Sequence, residues 1–178
     1  MNKLFILLAL MGLATLCSCD NHHSAPPTSH QNITGAAGFI LGEKLDVALA
    51  EKPQKDGGYF YMGSFTNSPP FDRVWVSADA NRIIYSITLQ SSRHVDYAAE
   101  TALIDALEQK YGEIGDTKKN SSREIKFGDT PNRSLVLTRW DRNQSLDLTY
   151  TDNTILTAFL DDKAATNKAA IVKGTSNL

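Results

Sequence analysis

Cysteine is nearly missing from this chain of 178 residues: there are two, Cys17 and Cys19, and none follows. A disulfide framework or a zinc-thiolate site is thereby excluded for everything after residue 19. Charge of one sign is missing too, with 18 Lys and Arg against 20 Asp and Glu and a formal net charge of −2. The basic residues Lys118, Lys119, Arg123, Lys126, Arg133, Arg139 and Arg142 sit in charge-mixed segments, so nucleic acid is not an expected partner. Histidine is scarce, and His22, His23 and His30 of the four fall before residue 31. No G-x-x-x-x-G-K-[ST], H-E-x-x-H or G-x-S-x-G pattern occurs, which removes the commonest phosphate-cradling, zinc-protease and serine-hydrolase arrangements. No cofactor and no metal site are expected.

One long apolar run is present. Residues 4–16, LFILLALMGLATL, follow Lys3. A helix needs about 20 apolar residues to span a bilayer, so this run has the length of a secretory h-region instead. Leu16-Cys17-Ser18-Cys19 after it resembles the bacterial lipobox, with Leu at −3, two small residues and the cysteine at +1. Cys17 fails the same test because bulky Leu16 would precede the cut. The resemblance implies cleavage between Ser18 and Cys19, a diacylglyceryl thioether on Cys19 and acylation of the new amine. Two or three chains anchor firmly where one does not. Asp20 at +2 resembles an inner-membrane retention signal. The expected address is the bacterial cell envelope, with the lipid anchor in the membrane and the protein facing the periplasm.

Residues 1–18 are then a signal peptide and 19–37 a lipid-anchored tether, rich in small polar residues and containing Pro26-Pro27. Its histidines lack the fixed geometry a metal site needs. Residues 38–165 are expected to form a single domain, and 166–178 a C-terminal tail.

Within that domain, residues 45–51 read as a helix ended by Pro53 and Gly57-Gly58. Residues 59–65 read as a strand, and 71–90 as a hairpin turning at Asp79-Ala80-Asn81. Residues 94–115 carry Ala99, Ala102, Leu103, Ala106, Leu107 and Tyr111 at helical spacing. A polar loop comes next, then strands at 123–128, 134–140, 145–151 and 154–160, and a short helix at 161–170. Shifting the first half by 62 residues lays Asp79-Ala80-Asn81 on Asp141-Arg142-Asn143 and Val74 on Val136. The fold expected is α+β: one or two antiparallel sheets with helices packed on one face, the shift marking either two tandem helix-plus-hairpin repeats or a chance agreement between two ordinary hairpins.

Gly38-Phe39-Ile40-Leu41-Gly42, Ile84-Tyr85-Ser86-Ile87, Leu107-Glu108-Gln109-Lys110-Tyr111-Gly112 and Leu148-Thr149-Tyr150-Thr151-Asp152 together resemble a pattern of small bacterial envelope proteins, mostly uncharacterised. These are packing and turn residues, so the resemblance implies a fold and no chemistry. The alternation of helices and hairpins is similar to small periplasmic inhibitor and assembly-factor lipoproteins, by fold-level analogy alone.

No catalytic residue is expected. His94 starts a helix, whose dipole disfavours its charged form, and Asp96 two residues on cannot face it. Asp161-Asp162 are adjacent and point apart. The expected activity is recognition of a protein partner, as an inhibitor, an immunity factor or an envelope-assembly accessory. A structural envelope lipoprotein and an enzyme acting on cell-envelope material are the alternatives. Trp75 alternates with Val74 and Val76, so it faces away from them, under a helix or exposed. With Phe71 and Arg73 it forms one candidate contact patch; Tyr59 and Tyr61 form a second.

Overall fold

The computed structural model describes residues 31–50, 53–55 and 57–175. Cys19, the signal segment and the expected tether as far as His30 lie outside the described residues; residues 31–37 of that tether belong to the domain, with Ile33 buried in its core. Two short strands, β1 (Gly35–Ala36) and β2 (Phe39–Ile40), form a small hairpin. A meander of β3 (Tyr59–Ser68), β4 (Phe71–Ala78) and β5 (Ile84–Gln90) leads into α1 (Tyr97–Tyr111). A second meander, of β6 (Glu113–Lys118), β7 (Ser122–Thr130), β8 (Arg133–Trp140) and β9 (Leu146–Asp152), leads into α2 (Asn153–Thr175). β5 and β9 pair, joining the meanders into one antiparallel sheet of seven strands in the order β3-β4-β5-β9-β8-β7-β6.

Register assigns every side chain to a face. Tyr61, Val76, Ile87, Tyr150, Leu135 and Phe127 form one cross-sheet row; Gly63, Val74, Leu89, Leu148, Leu137 and Ile125 form the next. These rows hold half of the buried core. Helix α1 lies over them, with Leu107, Tyr111 and Glu100 buried and Glu100 paired to Arg139. Asp96 starts the helix by accepting from the Ala99 amide at 2.8 Å, and Gly112 ends it at φ 74°, a conformation that favours glycine. Ile33, Leu41 and Leu45 complete the cover and are fully buried. Arg133 fastens this segment. It donates from Nη1 to the Ile33 carbonyl at 2.9 Å and from Nη2 to that of Leu41 at 3.2 Å, while Nε meets Asp152 at 3.1 Å.

The mixed α and β content and the antiparallel sheet agree with the expected class; three local expectations do not hold. Residues 45–50 form no helix. The backbone of 42–45 is spent on the sheet instead, with Gly42 N donating to Ile84 O, Ile84 N to Glu43 O and Leu45 N to Arg82 O. Beyond Leu45 the chain makes one turn, closed by Asp46 accepting from the Ala48 amide. Residues 113–118, expected as helix end and polar loop, are strand β6. Residues 154–160, expected as a strand, belong to α2 together with 161–170. Asp152 accepts from the Ile155 amide at 3.1 Å as a cap, and no Gly or Pro interrupts 153–173.

The 62-residue shift does carry β4 onto β8 and β5 onto β9 end to end. It also sets buried Val74 on Val136, which shares the opposite face with Trp75. A one-residue slip inverts every side chain of a strand. A shift of 61 is the one that lays Val76 on Leu137 and Ile87 on Leu148, pairs that face the core.

Candidate functional site: the open face of the sheet

The second face of the sheet is set by the same register. Met62, Trp75, Thr88, Thr149, Val136 and Lys126 form one row; Ser64, Arg73, Gln90, Asp147, Thr138 and Glu124 form the next. The middle is small and polar, with the Thr88 and Thr149 hydroxyls 3.1 Å apart across β5 and β9. Aromatic groups flank it. On the β3–β4 side, Phe60 meets Trp75 edge to face at 5.9 Å, beside Met62. On the β8 side, the Trp140 indole N–H donates to Asp147 Oδ2 at 2.7 Å. Met62 is 54% exposed, Trp75 37% and Trp140 41%. Large apolar side chains on a face reached by solvent are the groups that make contact energy at an interface. Helix α2 reaches this face near the start of β5, where Phe159 stacks on Tyr85 at 5.7 Å, and at the start of β8, where the Ser134 hydroxyl lies 3.4 Å from Asn153 Oδ1.

The expected contact residues separate. Trp75 and Arg73 lie on the open face. Phe71 is 6% exposed and belongs to the core, so the first patch loses it. Tyr59 and Tyr61 share the core face with Ala78 and Val76, half-buried, and Tyr61 packs on Phe39 at 5.4 Å. Tyr61 also leans along its strand over Gly63, where a Cβ would lie 2.4 Å from its hydroxyl. The second expected patch therefore faces inward. Phe60 and Met62, from the same strand, take its place. Alternation across Tyr59-Phe60-Tyr61-Met62 marks two faces but not which is inner, because aromatics occupy both. Only pairing with β4 decides it.

A cleft of about 520 Å³ opens at another place, between the β3–β4 turn and the start of α1. Phe65, Phe71 and Val95 are apolar in its lining, and Asp72, Arg93 and His94 are polar. Its carboxylates are already engaged. Asp72 accepts from the Ser92 amide at 2.8 Å and from the Ser92 hydroxyl, which holds its carboxyl below the ordinary range. Asp96 caps α1. His94 is exposed, and among the described residues no hydrogen bond joins it to an acid or a hydroxyl. Pro69-Pro70 form the two-residue turn between β3 and β4, where Ser68 pairs with Phe71, and they line the cleft. Among the described residues no cluster of metal-ligating side chains occurs, and no helix is long and apolar enough to cross a membrane. No family model matches the chain, and neither a curated protein nor a solved structure matches it.

Proposed function

We propose that the protein is a periplasmic lipoprotein, tethered through Cys19, whose domain binds a protein partner and catalyses no reaction. The open sheet face is the contact surface, with Trp75, Met62 and Phe60 as anchors and Arg73 at their edge. The observation that carries this reading is the exposure of Trp75, Met62 and Trp140 on one face of the sheet. Interfaces take most of their energy from a few such side chains, with polar groups around them. Asp20 places the anchor in the inner membrane. In the same reading the two halves are tandem units; α1 covers the core face, α2 reaches the open face near the start of β5, and the β3–β4 flank is left for a partner. An inhibitor, an immunity factor or an assembly accessory would each use such a surface.

The test is a pull-down from solubilised envelopes with tagged wild type, Cys19→Ala and Trp75→Ala, with the intact mass read from the same samples. The expected result is a diacylglyceryl mass on wild type, none on Cys19→Ala, and a stoichiometric protein partner that Trp75→Ala loses by at least about tenfold. A lipid mass with no partner would instead support a structural lipoprotein, or an enzyme using the cleft at Arg93 and His94. An unlipidated wild type would remove the envelope address.

A further inference from the structure

The two edges of the sheet are built differently. β6 is six residues long and carries Glu113, Asp116 and Lys118, with Asp116 held by Arg123 at 2.7 Å. A short, charged edge is a common guard against pairing with another chain. β3 has ten residues, none of them charged and none proline. Among the described residues, no backbone hydrogen bond ties it to anything but β4. Its pairing with β4 is regular from Tyr59 to Ser64 and shifts only beyond. Phe60 and Met62 stand beside this bare edge on the open face.

We propose that β3 pairs antiparallel with β3 of a second copy of this chain, about a two-fold axis at Met62. In that register Met62 meets Met62, Phe60 meets Ser64 and Tyr61 meets Gly63 of the second copy. Next to the axis large side chains oppose small ones, and the flexible thioethers fill the space at the axis. Three features favour a copy over another protein. The strand holds no charge, so self-pairing sets no like charges opposite one another. Reversal about Met62 sets Phe60 and Tyr61 on the small Ser64 and Gly63, with Tyr59 and Phe65 as an aromatic pair at either end. The product is a doubled sheet whose free edges are both β6, so pairing closes at two. The inference does not need the lipid anchor; it shares Phe60 and Met62 with the partner surface proposed above but is read from the purified chain alone, so it can fail without that reading failing. An edge contact of this length lies at the small end of interface sizes, where weak, transient pairs fall, and a Kd in the micromolar range is expected.

The experiment is sedimentation velocity of the full chain in mild detergent, across the micromolar range. A dimer is expected. Met62→Lys sets two ammonium groups together at the axis and is expected to raise the dimer Kd at least tenfold. Met62 is mostly exposed, so folding is spared. Ile114→Lys, on the guarded edge and 57% exposed, is expected to leave the dimer unchanged. Mixing Met62→Lys with Met62→Glu is expected to restore dimers, which a folding defect would not allow. A monomer up to about 100 µM, above the micromolar range expected of such an interface, overturns the proposal. So does a dimer indifferent to Met62→Lys, or β3 occupied by a different protein instead of a second copy.

Discussion

Strand β9 displays two environments within seven residues. Leu146, Leu148, Tyr150 and Asp152 are buried beneath α1 and the N-terminal segment, while Asp147, Thr149 and Thr151 point to the other side and stay half-buried. The backbone is common to both sets, so the difference is one of cover. The covered face is chosen for volume and apolar area, which dominate stability. The open face keeps small hydroxyl residues in the middle and places Trp75, Met62 and Trp140 toward its flanks, a choice that stability does not require. The contrast separates residues that hold the fold from residues free to serve a contact.

The sharpest way to break this contrast is on the covered side. Phe127 is fully buried and ends the row that begins at Tyr61. Phe127→Ala is expected to destabilise the domain by about 4 kcal/mol through lost burial and the cavity left behind. Urea denaturation followed by tryptophan emission measures it. A loss below about 1 kcal/mol would mean that the row is not packed as described.

The same contrast explains how much of the molecule could be read in advance. The hairpin at 71–90 and the strands at 134–140 and 145–151 were legible because one side of each strand is covered and the other is not. That cover turns into the alternation of Val74, Val76 and Ala78 with polar neighbours. Where both sides meet similar surroundings the signal fails. β6 is exposed along nearly its whole length, so Glu113–Lys118 carries no period. Residues 45–50 carry Leu45 and Leu49 at helical spacing, yet long-range pairing of 42–45 with 82–84 outweighs that local preference. The orientation of Trp75 was legible, but its freedom from a covering helix was not, since that depends on where α2 goes. Pro69-Pro70 marked a turn and gave no indication of a cleft.

A smaller effect is expected at Tyr150, whose hydroxyl is buried on the covered face with the Tyr111 hydroxyl beside it. Burial first, then Tyr111, push its pKa well above the ordinary tyrosine value. Because the folded state raises the pKa of an acid, its neutral form is favoured. The contribution is complete below about pH 10, the unfolded value, and is lost as pH rises beyond it. Each further pH unit costs up to about 1.4 kcal/mol until the folded group ionises. Denaturation curves from pH 8 to about pH 11.5 are expected to show this decline. Tyr150→Phe is expected to flatten it, and an unchanged alkaline slope in that variant would place the titration elsewhere.

The smallest effect belongs to the centre of the open face. Thr88 and Thr149 share a hydroxyl contact across β5 and β9, with solvent close by. A cross-strand pair of this kind contributes about 0.2–1 kcal/mol. Removing one hydroxyl leaves the other able to turn to water, so the single changes Thr88→Val and Thr149→Val are each expected to shift stability by about 0.5 kcal/mol. The double change is expected to sit close to wild type, because valine keeps the shape and both polar partners leave together. A double-mutant cycle in urea resolves the coupling. If either single change instead cost more than about 2 kcal/mol, the hydroxyl left behind would be shut away from water. The face would then be covered in the free protein, and Trp75 could not meet a partner without first displacing that cover.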